Sequence, residues 1–147
     1  MQSEGGITMD AKGMREILFR GKRLSNGEWA YGFIIKTSDT YYIIDKDDDK
    51  NITYKIIPET VGQYTGLCDK NGKKIFEGDI VDASNEWWNA AGPAGHNSPV
   101  ILVEWENGLC GFEPFANYDC DCGVYISAKN CEVIGNIHDN PKLLKRF

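Results

Sequence analysis

The chain has 147 residues and a mass of 16.5 kDa, with 41% hydrophobic and 26% charged residues, a formal net charge of −6 and a pI near 4.9. That size suits one domain, or one domain with a small appendage, around a sizeable core. The acidity argues against a generic grip on nucleic acid, which needs a basic face to displace counterions, and no apolar run approaches the roughly 20 residues that span a bilayer.

Residues 1–13 are polar and Gly-rich. They lack a charged start followed by an apolar stretch, so they read as a disordered leader rather than a signal peptide, with Met14 as an alternative start. β-type patterning follows. Residues 15–20 predict a first strand, and Asn26-Gly27 is a strong hairpin turn signal. Residues 28–35 carry aromatics at Trp29, Tyr31 and Phe33, a period of two that fits one buried face. Residues 40–45 and 52–57 predict a third and a fourth strand, separated by a charged turn and stopped by Pro58.

The middle of the chain is organised by turns. Asp69-Lys70-Asn71-Gly72 reads as a tight turn with Gly72 at positive φ, and Glu77-Gly78-Asp79 as a second. Residues 79–83 predict another strand. Residues 84–99 form a long connection containing Trp87-Trp88, too long for an ordinary link and therefore functional or mobile. Residues 100–105 and 109–115 predict a hairpin, residues 131–137 a closing strand, and Pro141 the first position of a short C-terminal helical turn. Many short strands with turns between them indicate a small barrel or sandwich.

Several constellations bear on chemistry. Cys110, Cys120, Cys122, Cys131 and His138 hold zinc-ligand residue types. The one close pair is C-x-C, however, and no second close pair exists, so reduced and partly buried thiols are the better reading. The odd count of five cysteines, with Cys68, and the lack of a framework agree with a cytoplasmic protein. Asp45-Lys46-Asp47-Asp48-Asp49 begins like a calcium loop, but the required Gly and Glu positions hold Lys50 and Ile56. His96 and His138 are the only imidazole bases, and neither sits in a nucleophile motif. Gly66, Gly72 and Gly78 match no phosphate-binding template and read as turn glycines. No motif carries a mechanism, which predicts a non-enzyme without cofactor or metal.

Two features suit binding instead. Trp87 and Trp88 act either as a partner site or as a lid over the core. Lys70, Lys73 and Lys74, with Lys12, Arg15, Arg20, Lys22 and Arg23, place local positive charge on an acidic chain. The candidate binding residues are therefore Trp87, Trp88, Lys70, Lys73 and Lys74.

The chain resembles the YopX family of phage and prophage proteins. The resemblance rests on residues 15–22 and on Trp29-x-Tyr31-Gly32. It rests most on residues 60–67 followed by 69–81, and it ends with residues 135–141 and Leu143-Leu144. It implies a β-rich first half, residues 14–60, followed by an SH3-like β-barrel domain, residues 61–147, with a C-terminal helical turn. It carries over no catalytic residue. The expectation is a mostly β phage or prophage accessory protein in the bacterial cytoplasm. It acts by binding another phage or host protein or itself, with nucleic acid the less favoured partner and a membrane none.

Overall fold

The structure, a computed structural model, describes residues 15–47, 49–86, 98–107, 111–115 and 126–146. It is mostly β, built of antiparallel ladders. The chain divides into two compact units, Glu16–Tyr64 and a second unit that begins at Thr65 and includes Arg15.

The first unit is a meander of β1 (Phe19–Lys22), β2 (Trp29–Lys36), β3 (Tyr41–Asp45) and β4 (Thr53–Ile56). The first strand thus begins later than the sequence predicts and runs on through Gly21 and Lys22. The meander curls until its ends meet. Arg23 bridges Ile56, the Leu24 amide donates to the Lys55 carbonyl at 2.9 Å, and the Ile57 amide donates to the Lys22 carbonyl at 2.9 Å. Thr60 clamps this seam: its hydroxyl oxygen accepts from the Lys22 amide at 2.8 Å and donates to the Ile57 carbonyl at 2.6 Å. On the other side of β1, Gln63 and Gly62 of β5 (Gly62–Cys68) pair with Phe19 and Arg20.

So tight a curl leaves a narrow interior. Ala30, Ile43 and Ile56 fill it, with Ile34, Tyr41, Tyr54 and Val61 packed around them. A Cβ on Gly21 would run into the Ile56 side chain, and one on Gly32 into the Ile44 carbonyl oxygen. Only the smallest residues fit at these inward positions. This corrects the sequence reading of β2. The period of two is present, but the buried residues are Ala30 and Gly32, while Tyr31 and Phe33 face solvent. Bulk, not hydrophobicity, decides which set turns inward.

In the second unit, the later part of β5 pairs with β6 (Lys74–Phe76). A second sheet runs β11 (Glu132–Asn136), β7 (Asp79–Asp82), β8 (Val100–Leu102), and β9 (Glu104–Glu106) pairs with β10 (Gly111–Glu113). The expected strand 100–105 breaks at Val103, whose amide donates to the Asp79 carbonyl and whose carbonyl accepts from the Gly78 amide, both at 2.8 Å. The core is formed by Ile75, Val81, Ile101, Val103, Ile126 and Cys131 with their neighbours. The predicted C-terminal helical turn is present as a 3-10 segment, Pro141–Arg146. SH3-like closure of this unit stays an expectation of the family resemblance. Among the described residues, no helix is long and apolar enough to cross a membrane.

Candidate functional site

Residues paired directly across antiparallel strands share a face. In the first unit, Trp29 opposes Lys22 and Tyr31 opposes Arg20 on one side of β2. On the other side Phe33 opposes Ile44 and Ile35 opposes Tyr42. Tyr42 and Ile44 in turn oppose Lys55 and Thr53. One outward face therefore carries Trp29, Tyr31, Phe33, Ile35, Tyr42 and Ile44, fringed by Lys22 and Lys55; Arg20 shares the face but is buried, 5% exposed. Phe33 is 55% exposed, Ile35 42% and Tyr31 38%. The only acid within the four strands, Asp45, pairs with Gly32 and so takes the opposite face.

The edge of this face is electrostatically ordered. The Arg20 guanidinium stacks 4.5 Å from the centre of the Trp29 ring, and the Lys22 ammonium lies 5.5 Å from it. Cations over an indole face are held by its quadrupole, so Trp29 is fixed as one wall of the patch. Contiguous exposed apolar surface of this kind is uncommon on a monomer and marks an interaction site.

The predicted site residues lie elsewhere. Trp87 and Trp88 fall outside the described residues. Lys70 and Lys73 share the turn in the second unit, and Lys74 opens β6 half-buried. Lys70 is partly neutralised by Glu132, at 3.1 Å. The turn is held by buried Asp69, 4% exposed. One carboxylate oxygen accepts from the Asn71 and Lys73 amides, each at 2.9 Å, and the other accepts from the Val133 amide of β11 at 2.9 Å. Gly72, at φ +79°, donates its amide to the Asp69 carbonyl, as the turn signal predicts. The lysines thus decorate a turn whose ordered chemistry is structural.

Cys131 is fully buried, and its thiol donates to the Ser127 carbonyl at 3.4 Å. Burial, then the nearby charges of Glu86, Asp82 and Asp69, push its pKa up to about 12, so it stays a thiol. Cys110, Cys120, Cys122 and His96 fall outside the described residues. His138 stands on the exposed C-terminal turn, at a cavity of about 620 Å³ lined also by Asp139, Pro141 and Leu143. Among the described residues, no three His, Cys, Asp or Glu side chains gather as a metal would require.

Sequence reasoning missed the outward face because alternation identifies two faces without ranking them. The signal available was the small-residue set Gly21, Ala30 and Gly32, which shares one face and leaves the aromatics to the other.

Comparison with known proteins bears on the family. One similar solved structure is the crystal structure of protein EF1440 from Enterococcus faecalis, at 23% identity and a TM-score of 0.48, covering 88% of this chain and 98% of that one. No curated protein matches the sequence. The family model described as YopX protein matches residues 18–145, from the strand that opens the first unit to the C-terminal 3-10 segment; the chain belongs to the YopX family.

Proposed function

We propose that this protein works by binding another protein surface rather than by catalysis, and that the outward face of β2 is the contact surface. The carrying observation is the stripe Tyr31, Phe33 and Ile35, large and exposed on a strand whose fully buried positions are alanine and glycine. Aromatic anchors with a cationic rim have the make-up of a protein interface core, where such residues are enriched and acids depleted. The setting that the family resemblance implies is a phage or prophage product in a bacterial cytoplasm. The partner is a second copy of the chain or another phage or host protein.

The test is a variant with Tyr31→Ser, Phe33→Ser and Ile35→Thr together. Sedimentation velocity at two salt concentrations reads self-association, and capture from prophage-bearing host lysate reads other partners. The expected result is a folded protein that has lost its oligomer or its captured partner. Unchanged assembly and unchanged capture would overturn the reading.

A second reading has a specific observation behind it. Exposed rings beside Lys22 and Lys55 also have the composition of a stacking platform for single-stranded nucleic acid. Binding to a labelled oligonucleotide that weakens steeply with salt would favour it; a flat response would remove it.

A further inference from the structure

A cavity of about 310 Å³ lies within the second unit, lined by Arg15, Thr65, Gly66, Leu67, Gly111, Phe112 and Phe115. Gly66 sits at φ +88°, a conformation that disfavours any side chain. The space a Cβ would take there is filled by the Arg15 stem, with Cδ 2.7 Å and Cγ 3.1 Å from the Cβ position. Glycine is therefore required twice over: for the backbone, and as the seat on which the arginine lies. Arg15 is exposed and forms no ion pair with any described residue.

The rest of the wall offers little polarity. The Thr65 hydroxyl is engaged, donating to the Ile75 carbonyl at 2.8 Å and accepting from the Leu67 amide at 3.2 Å. Leu67, Phe112 and Phe115 are apolar. Phe112 is held by an edge-to-face contact with Trp105, centroids 5.2 Å apart at 76°. The site thus combines an arginine whose stem is seated on its wall with an open, mostly apolar pocket at the lower end of the size range of ligand pockets, roughly 300–1,000 Å³.

We propose that this cavity binds a single carboxylate attached to an apolar body, with Arg15 forking the carboxylate and Phe112 and Phe115 packing against the body. A guanidinium matches one carboxylate through two parallel hydrogen bonds. A dianionic phosphate would find no second cation among the lining residues, on a chain that already carries net charge −6. Such a ligand is either a free small acid or the C-terminal residue of a polypeptide. This site is separate from the outward face of β2 and does not rest on the reading given for that face.

The probes are N-acetylphenylalanine, its amide, and a short peptide ending in phenylalanine with a free carboxylate. Titration followed by amide chemical shifts reads affinity and location together. The expected result is binding of the acid, with shifts at Gly66 and Phe112, and at least about tenfold weaker binding of the amide. Arg15→Gln should weaken the acid by a similar factor without changing the melting temperature, and Arg15→Lys should fall between. Tighter capture of the peptide than of the free acid assigns the site to a polypeptide end, and equal capture assigns it to a free acid; both uphold the proposal. Equal affinity for acid and amide, unchanged binding in Arg15→Gln, or no binding at millimolar acid would overturn it.

Discussion

Replacing Asp69 by asparagine separates the turn's chemistry from its shape. The change conserves size and leaves an amide oxygen that can still accept from the Asn71 and Lys73 amides, which lie at 2.9 Å from Oδ1. The other carboxylate oxygen becomes an NH₂ group, and it faces the Val133 amide, also a donor, at 2.9 Å. A charge-assisted bond worth about 1.5–3 kcal/mol is replaced by two donors in contact. Alanine removes all three acceptor contacts. The Asn71 and Lys73 positions are exposed, so their amides regain water and each loss is about 0.5–1 kcal/mol; with the Val133 loss the total is about 2.5–5 kcal/mol. Equilibrium urea unfolding of the wild type, Asp69→Asn and Asp69→Ala measures both. The reasoning expects Asn to lose about 2 kcal/mol and Ala more. Asp69→Asn within about 0.5 kcal/mol of wild type would refute it, because the tie from the turn to β11 would then carry no net stability.

Three further predictions follow from the packing. Gly32→Ala drives a methyl into the Ile44 carbonyl and should cost about 3 kcal/mol, the upper end of the overpacking range, read by thermal unfolding. Phe33→Ser removes a side chain that is 55% exposed and should change stability by no more than about 0.5 kcal/mol, so any lost binding would belong to the interface. Cys131 has a folded-state pKa raised to about 12 from its ordinary value near 9. The stabilisation linked to its proton is fully present below pH 9 and is lost as pH rises toward 12. The stability gap between wild type and Cys131→Ala, followed by urea unfolding from pH 8 to about 11, should narrow across that window; a constant gap would refute the linkage.

Local chemistry was readable and global placement was not. The turn at Asp69–Gly72, the Asn26-Gly27 hairpin and the Pro141 start each depend on residues within four positions of one another, so sequence alone specifies them. The orientation of β2 depends on the closure between Arg23 and Ile56, 33 positions apart, which fixes how much volume the interior offers. The break at Val103 depends likewise on a distant loop at Gly78 and Asp79. Asp69 reads as a turn former, but its second carboxylate oxygen reaches β11 across 64 positions, and no local pattern announces that. The seat of Arg15 on Gly66 was invisible for the same reason: it joins residues that only the folded chain brings together.

The seam that closes the first unit also restricts how it meets anything else. The Lys55 carbonyl and the Ile57 amide at the end of β4 are spent on Leu24 and Lys22, so a visiting strand finds that stretch of the edge already paired. On the function proposed above, recognition through this region is written in side chains. Contacts made by Phe33, Tyr31 and Ile35 bury apolar surface, which predicts an association with a negative heat-capacity change and little response to salt. It also lets the surface diversify: outward positions of β2 are free to vary in shape without touching the glycines and alanine that hold the curl together.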